Sequence, residues 1–342
     1  GGGGKGTSDL WNASIQGAEN VVAMCDVDTG KQSLKSRERF PKANFYQDYR
    51  EMLDKEKDLD AVTISSPDHM HAIQALAAMD LGIHVYVQKP LTHNIREARM
   101  LTETSREKKI VTQMGNQGAS NSGMVKIQEW FNKKLIGDVD KVYVWTNRPV
   151  WPQGVAMQSP DPSKKPEGMD WDLWIGPAEN NGYTPGLHAF DWRGFWDYGT
   201  GALGDMGCHL MDVPIKALGL FEPFSVEASV PRTPYIKSYT PSSIYDEACP
   251  ASSYVTYKFK PSKINDSEVK MVWMDGGIRP SHPDIITDAD DIGDNGVLMI
   301  GENGLIWCDN YGIKGRLYIK GQEGVVETGK KSEINAVEFG HQ

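Results

Sequence analysis

Residues 61–91, AVTISSPDHMHAIQALAAMDLGIHVYVQKPL, contain the pattern that decides the fold. Ala61 to Ser65 is a short β-branched run typical of a buried strand, and Ile83 to Val87 is a second one. Between them, His69 to Leu81 is helix-like and stops at Gly82, a residue that favours helix C-termini. A strand, a helix and a strand at this spacing predict a parallel βαβ unit.

The same alternation extends on both sides of this unit. Further strands are predicted at Val21 to Cys25, Ala43 to Tyr46 and Ile110 to Met114, and helices over 29–40, 49–55 and 94–109. Continuous apolar strands indicate burial on both faces of the sheet. Residues 1–118 are therefore predicted to form an α/β N-terminal Rossmann domain with a doubly wound parallel sheet.

The pattern changes after Gly118. One amphipathic helix is predicted over 122–134, and strand-like runs then follow at 139–146, 225–231, 252–259, 268–274, 296–300, 305–308 and 316–319. This predicts an α+β C-terminal domain over 119–342 with a mainly antiparallel sheet. Residues 147–200 are rich in Pro, Gly and Trp, and are expected to form long ordered loops of functional importance.

Composition excludes several classes of protein. The 342 residues carry a net charge of −10 without a basic block, which argues against a nucleic-acid partner. No apolar run reaches the length of a membrane span. The four cysteines are dispersed and form no CxxC pair, so a disulfide framework or a zinc knuckle is not expected.

The glycine-rich start, GGGGKG, matches a dinucleotide fingerprint through Gly1, Gly3 and Gly6. Four consecutive glycines also match such a pattern by chance. Asp26 lies 20 residues beyond Gly6 at the end of a predicted strand, where a carboxylate can bind ribose hydroxyls and repel a 2′-phosphate. The combination favours NAD over NADP, and the alternative is that Asp26 is a solvated acid.

Two polar segments follow neighbouring predicted strands, where ligands bind in such sheets. Ser66 to His71 follows the first, and its His69-x-His71 spacing also suits a metal, although His69 can instead pack at the helix start. Lys89 follows the next strand and is expected to point toward the reaction crevice, although most lysines are solvated surface residues.

Asp205 and His209 are four residues apart and are predicted to share one helix face. The glycine-rich run 199–204 before them allows backbone to approach a ligand closely. A carboxylate beside an imidazole raises its basicity, so the pair can move a proton. The alternative is an ordinary surface pair.

Six of the ten tryptophans lie between residues 145 and 196. Indole rings suit the C–H faces and hydroxyls of sugars, and the alternative is that large rings anchor a long loop. These residues are Trp145, Trp151, Trp171, Trp174, Trp192 and Trp196.

Together these segments resemble the glucose–fructose oxidoreductase / inositol dehydrogenase family, Gfo/Idh/MocA. The resemblance covers nearly the whole chain and is closest to sugar dehydrogenases of carbohydrate-degrading bacteria. It is carried by Gly1–Gly6, 25–28, 66–72, 85–91, 145–154 and Gly199–His209.

The resemblance implies a catalytic set. Lys89 matches the lysine of the family's Glu-Lys-Pro motif, and Asp205 and His209 match its Asp-x-x-x-His pair. His209 would take the hydroxyl proton, Lys89 would polarise the oxygen, and Asp205 would hold the imidazole or bind a neighbouring hydroxyl. Gln88 stands where the family usually has Glu.

The resemblance also implies two binding sets. The cofactor set is Gly1, Gly3, Gly4, Gly6, Asp26, Ser66, Pro67, His69, His71, Lys89 and Gln117. The substrate set is Lys89, Arg148, Trp151, His188, Arg193, Trp196, Asp205 and His209. No metal is expected.

The sequence therefore predicts an NAD-dependent oxidoreductase acting on a secondary hydroxyl of a sugar, glycoside or cyclitol. The alternatives are an NAD-dependent glycosidase with a transient redox step and a metal-dependent hydrolase using the pairs His69/His71 and Asp205/His209. A non-catalytic cofactor-binding protein is a further alternative, and the presence of Lys89 and His209 argues against it. A homodimer or homotetramer is expected, either cytoplasmic or exported to the periplasm by the twin-arginine route. Compared with the family, the chain is expected to lack the first strand and the final helices.

Overall fold

The computed structural model describes residues 1–15, 19–231, 246–286, 291–322 and 325–328. These residues form two compact units. The first contains Gly1–Gly115 and Ala156–Thr200, and the second contains Asn116–Val155 and the described residues from Gly201 onward. These units differ from the two domains expected from the sequence, which meet at residue 118, because residues 156–200 pack with the N-terminal part of the chain.

The helices and strands up to residue 115 are α1 (Lys5–Ala13), β1 (Ala23–Cys25), α2 (Lys31–Arg39), β2 (Asn44–Tyr46), α3 (Tyr49–Lys55), β3 (Ala61–Ile64), α4 (Asp68–Asp80), β4 (His84–Gln88), α5 (Ile95–Lys108) and β5 (Thr112–Gly115). They follow the predicted alternation closely. The helix α5 begins at a capping box formed by Asn94 and Glu97, which explains why its start was readable from sequence.

The remaining elements are α6 (Ser122–Asn132), β6 (Val139–Trp145), α7 (Trp171–Ile175), α8 (Gly201–Leu210), α9 (Asp212–Leu218), β7 (Pro223–Ser229), β8 (Tyr254–Phe259), β9 (Val269–Met274), β10 (Gly296–Gly301), β11 (Gly304–Cys308), β12 (Gly315–Ile319) and β13 (Val326–Glu327). The sequence did not predict α7, α9 or β13. Among the described residues, none of the helices combines the length and apolar character needed to span a bilayer.

The first unit has the parallel pairing that the sequence predicts. In the described part of the chain, β1 pairs with β2, and β3, β4 and β5 form a separate sheet in that order. The helix α4 covers the second sheet through Ala75 and Met79, both fully buried against the strands. Each large apolar side chain buried in this way stabilises the fold by about 1.5–3 kcal/mol.

Residues 156–200 complete the first unit and have little regular structure. Besides α7, short 3₁₀ turns occur at Pro162–Lys164 and Asp191–Gly194. Met169 forms an isolated bridge with Asp28, just beyond β1. The rings of Trp171 and Trp174 stack with their centroids 4.6 Å apart. This segment forms the long ordered loops that its composition indicates.

The second unit is built on a mainly antiparallel sheet. Its described strands run β13-β12-β11-β10-β6-β9-β8-β7, and all neighbours are antiparallel except β6 and β9. One face is covered by α6, α8 and α9, whose fully buried contacts include Ile127, Leu210 and Leu218. On the other face, Ile286 and Ile292 pack against strand residues. The helix α8 carries the predicted Asp205 and His209.

Candidate active site

The glycine-rich loop is packed so tightly that three of its positions exclude a side chain. A Cβ atom on Gly6 would lie 1.8 Å from the carbonyl oxygen of Gly1. A Cβ on Gly1 would lie 2.7 Å from the Ser65 oxygen, and one on Gly3 would lie 2.7 Å from the Gln32 oxygen. Close backbone contacts therefore leave no room for a side chain at these three positions of the fingerprint.

The same loop leads into α1 through Gly4, which has φ of +51° and acts as the N-cap. Within the described residues, no side chain caps this helix end. A Cβ at Gly4 would meet no atom within 4 Å, so space is open above the turn. An uncapped helix N-terminus beside glycine backbone suits the pyrophosphate of a dinucleotide.

Asp26 joins the end of β1 to this loop. Its Oδ2 accepts a hydrogen bond of 2.6 Å from the Gly2 N–H, and its Oδ1 accepts one of 2.9 Å from the Asp28 N–H. The side chain is buried rather than solvated. Because each carboxylate oxygen can accept more than one hydrogen bond, Asp26 can still receive ribose hydroxyls. The glycine cradle and this carboxylate fit a dinucleotide.

Ser66 and Pro67 lie at the carboxyl end of β3, where the sequence placed them. The Ser66 hydroxyl donates to Gln74 Oε1 at 2.8 Å, and Pro67 is the N-cap of α4. Both residues are half-buried. The carboxyl end of a parallel strand is the position from which such residues contact a bound nucleotide.

The two histidines of this segment are enclosed in protein. His69 Nε2 lies 3.0 Å from the Trp174 carbonyl oxygen, while the two ring nitrogens of His71 lie 2.7 and 2.9 Å from the carbonyl oxygens of Pro90 and Ser66. Both side chains are buried. These contacts agree with the alternative in which His69 packs at the start of the helix. They occupy both ring nitrogens of His71 and the Nε2 of His69.

Because burial lowers the pKa of His69 from 6.5 to about 4, His69 should make the fold acid-sensitive. The unfolded chain takes up a proton near pH 6.5, so stability is present above that pH and is lost as pH falls toward 4. Between about pH 7 and about pH 5, this histidine lowers the free energy of unfolding by about 2 kcal/mol. We expect urea unfolding of His69→Gln to show a correspondingly smaller pH dependence.

The reference for this measurement is the wild-type protein, unfolded in urea over the same range of pH. An identical acid response in wild type and His69→Gln would contradict the assignment, because Gln keeps a donor for the Trp174 carbonyl and loses only the titration.

Lys89 follows β4 and is half-buried. Two buried acids that no sequence motif predicts lie in the same unit. Asp9 on α1 accepts hydrogen bonds from Gln88, and Asp68 accepts one of 2.9 Å from the Thr200 hydroxyl. Burial raises the pKa of Asp68, and the nearby charge of Lys89 acts in the opposite direction. No short motif marks either acid, so only the packing reveals them.

Asp205 and His209 occupy one face of α8, as their spacing predicts. Asp205 is half-buried, whereas His209 is 4% exposed and meets the Tyr311 ring edge-to-face at 5.0 Å. The helix begins at Gly201, whose φ is +62° and whose Cα faces Cys249 so closely that a Cβ would lie 2.8 Å from the Cys249 Cβ. Lys89 belongs to the first unit and this pair to the second.

Three further predicted residues lie in the second unit. Trp151 is buried, and its indole N–H donates to Gln153 Oε1 at 3.0 Å, which gives it the contacts of a loop anchor. Arg148 is half-buried and its Nη1 donates to Asn147 Oδ1 at 2.7 Å. Gln117 is half-buried in the turn after β5. Substrate and cofactor contacts for these residues stay predictions.

Three predicted substrate residues lie in the first unit. His188 Nε2 is 3.2 Å from Asp28 Oδ2, so the imidazole sits beyond the end of β1. The Arg193 guanidinium lies over the Trp192 ring at 4.3 Å. Trp196 is 46% exposed, whereas the other five tryptophans of this region are buried. Trp196 is therefore the ring of this group with an exposed surface to offer a sugar.

Two family models match the chain. Residues 1–116 match a model described as "Oxidoreductase family, NAD-binding Rossmann fold", and residues 127–233 match the C-terminal alpha/beta domain of the same family. The chain belongs to the Gfo/Idh/MocA oxidoreductase family. The resemblance drawn from the motifs is confirmed, and so are the Rossmann and mainly antiparallel domains.

Individual members of the family show weaker similarity. Levoglucosan dehydrogenase of Pseudarthrobacter phenanthrenivorans is 22% identical over 229 residues, which are 66% of this chain and 49% of that protein. The chain thus matches about half the length of this curated relative.

Solved structures share the family fold. An NAD binding oxidoreductase from Klebsiella pneumoniae has a TM-score of 0.62 at 18% identity, covering 96% of this chain and 77% of that one. An inositol dehydrogenase homolog from Azotobacter vinelandii, solved with NADH and myo-inositol, has a TM-score of 0.61 at 17% identity over 98% and 78% of the two chains.

The family assignment favours the oxidoreductase over the metal-dependent hydrolase. In the described part of the chain, no three His, Cys, Asp or Glu side chains are grouped to hold a metal ion. The ring contacts of His69 and His71 with backbone carbonyls agree with packing roles for this pair.

Proposed function

We propose that this protein is an NAD-dependent oxidoreductase that acts on a secondary hydroxyl of a sugar, glycoside or cyclitol. The observation that carries the proposal is the tight glycine cradle joined to Asp26 in a Rossmann domain of this family. The relatives named levoglucosan dehydrogenase and inositol dehydrogenase homolog support the substrate class.

NAD would be held by the backbone of the glycine loop and by Asp26. The uncapped start of α1 would receive the pyrophosphate, and the remaining lone pairs of Asp26 would accept ribose hydroxyls. The negative charge of Asp26 at this position disfavours the 2′-phosphate of NADP.

The proposed chemistry uses three side chains. His209 would remove the hydroxyl proton as general base, and Asp205, one helical turn earlier, would orient the imidazole or bind a neighbouring hydroxyl. Lys89 would donate to the substrate oxygen and stabilise the negative charge that develops there. The bound nicotinamide supplies a hydride acceptor. Arg148, His188, Arg193 and Trp196 are proposed to contact the rest of the substrate.

The test is turnover of the purified protein with NAD and either levoglucosan or myo-inositol. Steady accumulation of NADH in proportion to oxidised product would support the proposal. Release of the aglycone from a glycoside without net NADH would instead support the glycosidase. Neither product across a panel of sugars and cyclitols, with NAD shown to be bound, would overturn the proposed reaction.

Asp26→Ala should weaken the preference for NAD over NADP. The change removes the carboxylate that can bind ribose hydroxyls and repel a 2′-phosphate. Titration of each nucleotide against the purified variant measures the two dissociation constants. An unchanged ratio of the two dissociation constants would show that Asp26 does not lie at the ribose. The control variant is Asp48→Ala, which removes the acid at the N-cap of α3.

We also propose that the chain assembles with itself as a dimer or tetramer. The described edge strand β7 carries exposed Phe224 and Val226, and Phe221 just before it is 73% exposed. Exposed apolar groups at a sheet edge favour association. Light scattering of the purified protein measures the assembly, and a monomer at all concentrations would contradict it.

A further inference from the structure

Asp9 on α1 is buried and gathers donors from three parts of the first unit. Its Oδ2 accepts a hydrogen bond of 2.6 Å from the Ser65 hydroxyl at the end of β3. The Gln88 amide, the last residue of β4, reaches both carboxylate oxygens at 3.1 and 3.0 Å. Lys5 Nζ lies 3.1 Å from Oδ1. Asp9 is 3% exposed and Gln88 is 5% exposed.

This geometry suits an amide at position 88. Because a carboxylate only accepts hydrogen bonds, the group facing Asp9 has to donate, and the Gln88 Nε2 does so. A glutamate here would bring two buried carboxylates into direct contact, and their mutual repulsion would destabilise the pair. The Gln88 that departs from the family's usual Glu is therefore matched to the acid on α1.

The contacts place Asp9 between elements that the proposed function uses. The glycine loop runs directly into α1, Ser65 precedes the Ser66–Pro67 loop, and Gln88 precedes Lys89. A shift of the Gln88 backbone is passed to Lys89 because the two residues are consecutive. His71 contacts the carbonyl oxygens of Ser66 and Pro90 with its two ring nitrogens, so it also links these two strand ends.

We propose that Asp9 is a positioning residue that holds Lys89 in place through Gln88, and that Asp9 and Gln88 function as a matched acid–amide pair. The significance of Lys89 rests on the proposed function. The pair itself rests on the hydrogen bonds in the first unit. Asp9 need not touch substrate or cofactor, so its effect is expected on the reaction of Lys89 more than on NAD binding.

The experiment exchanges the two groups. The variants are Asp9→Asn, Gln88→Glu and the double variant carrying both changes, which again pairs one acid with one amide. Gln74→Glu is the matched control, because the Gln74 Oε1 accepts its hydrogen bond and a carboxylate can do the same. The measurements are the unfolding temperature, kcat and KM with NAD, and the rate of Lys89 acetylation read by peptide mass spectrometry.

We expect both single variants to unfold at lower temperature and Gln88→Glu to lose about 10²-fold in kcat, the size of effect that a small misplacement of a catalytic group produces. NAD binding should change much less. The double variant should regain unfolding temperature, kcat and Lys89 acetylation rate together, since coupled groups are not additive. Gln74→Glu should match wild type.

Two outcomes would overturn the proposal. If the kcat of the double variant is no higher than the two single losses multiplied together predict, the two positions act independently. Single variants that unfold earlier but keep the wild-type kcat and Lys89 acetylation rate would show a structural role only. The acetylation rate requires no substrate, so the pair can be tested even if Lys89→Ala leaves turnover intact and the proposed function fails.

Discussion

Lys89→Ala is expected to lower turnover by at least roughly 10²-fold, the lower end of the contribution of a positioned acid or base. The ammonium is the proposed donor to the substrate oxygen, and alanine leaves the developing charge without a partner. The measurement is kcat with NAD and the substrate identified from the sugar and cyclitol panel. A deuterium label on the oxidised carbon should give a larger isotope effect in the variant, because hydride transfer becomes more rate-limiting.

Two comparisons separate chemistry from folding. Lys57→Ala removes an exposed lysine from the same unit and should keep wild-type turnover. Lys89→Arg keeps the positive charge but places it on a larger planar group, so we expect partial activity. A near-wild-type rate in Lys89→Ala, with NAD still bound, would remove Lys89 from the mechanism.

His209→Ala is expected to cause a loss of the same size, at least roughly 10²-fold in kcat, because it removes the proposed general base. His209 is nearly fully buried, so the variant also leaves a cavity beside Tyr311. The unfolding temperature and NAD affinity are therefore measured with the rate, which separates lost chemistry from lost structure.

Added imidazole provides the internal control for this variant. A small base that enters the cavity should restore part of the activity of His209→Ala, and it should not restore Lys89→Ala. Asp205→Asn should be less severe than His209→Ala, because the amide can still orient the imidazole. Full activity of His209→Ala without imidazole would show that another group takes the proton.

Most of the fold was readable because its elements have local signals. The βαβ unit at residues 61–91 combines β-branched strands, a helix ended by Gly82 and Pro90 after the second strand. Each signal acts over a few residues, so each predicts its element without knowledge of the rest. The helix α9 was missed because Pro214 lies inside it and conceals the pattern.

The sequence did not show which of the two units residues 156–200 join. Residues 156–200 follow β6 in sequence, yet they pack beside β1 through Met169 and beside α4 through Trp174. Which unit an irregular segment joins depends on contacts between distant residues, and composition carries no information about those contacts.

The residues of the candidate site also differ in whether a local sequence pattern predicts them. Gly6, Asp26 and the Asp205/His209 pair follow fixed spacings, and the structure places them as those spacings predict in loop, strand end and helix. Asp9 and Asp68 have no such spacing. Trp151 shows the opposite case, because a residue type suited to sugars turns out to be enclosed by its own loop.

Each unit is built from two separate stretches of sequence, and this has a consequence for synthesis on the ribosome. The first unit needs residues 156–200, and the strand β6 acquires its neighbours β9 and β10 only when the chain has reached residues 269–301. Such long loops close slowly, because their entropy is lost before distant contacts form. Neither unit can be completed from one uninterrupted stretch of nascent chain. We therefore expect β6 to lack both of its neighbouring strands until residues 269–301 have been synthesised.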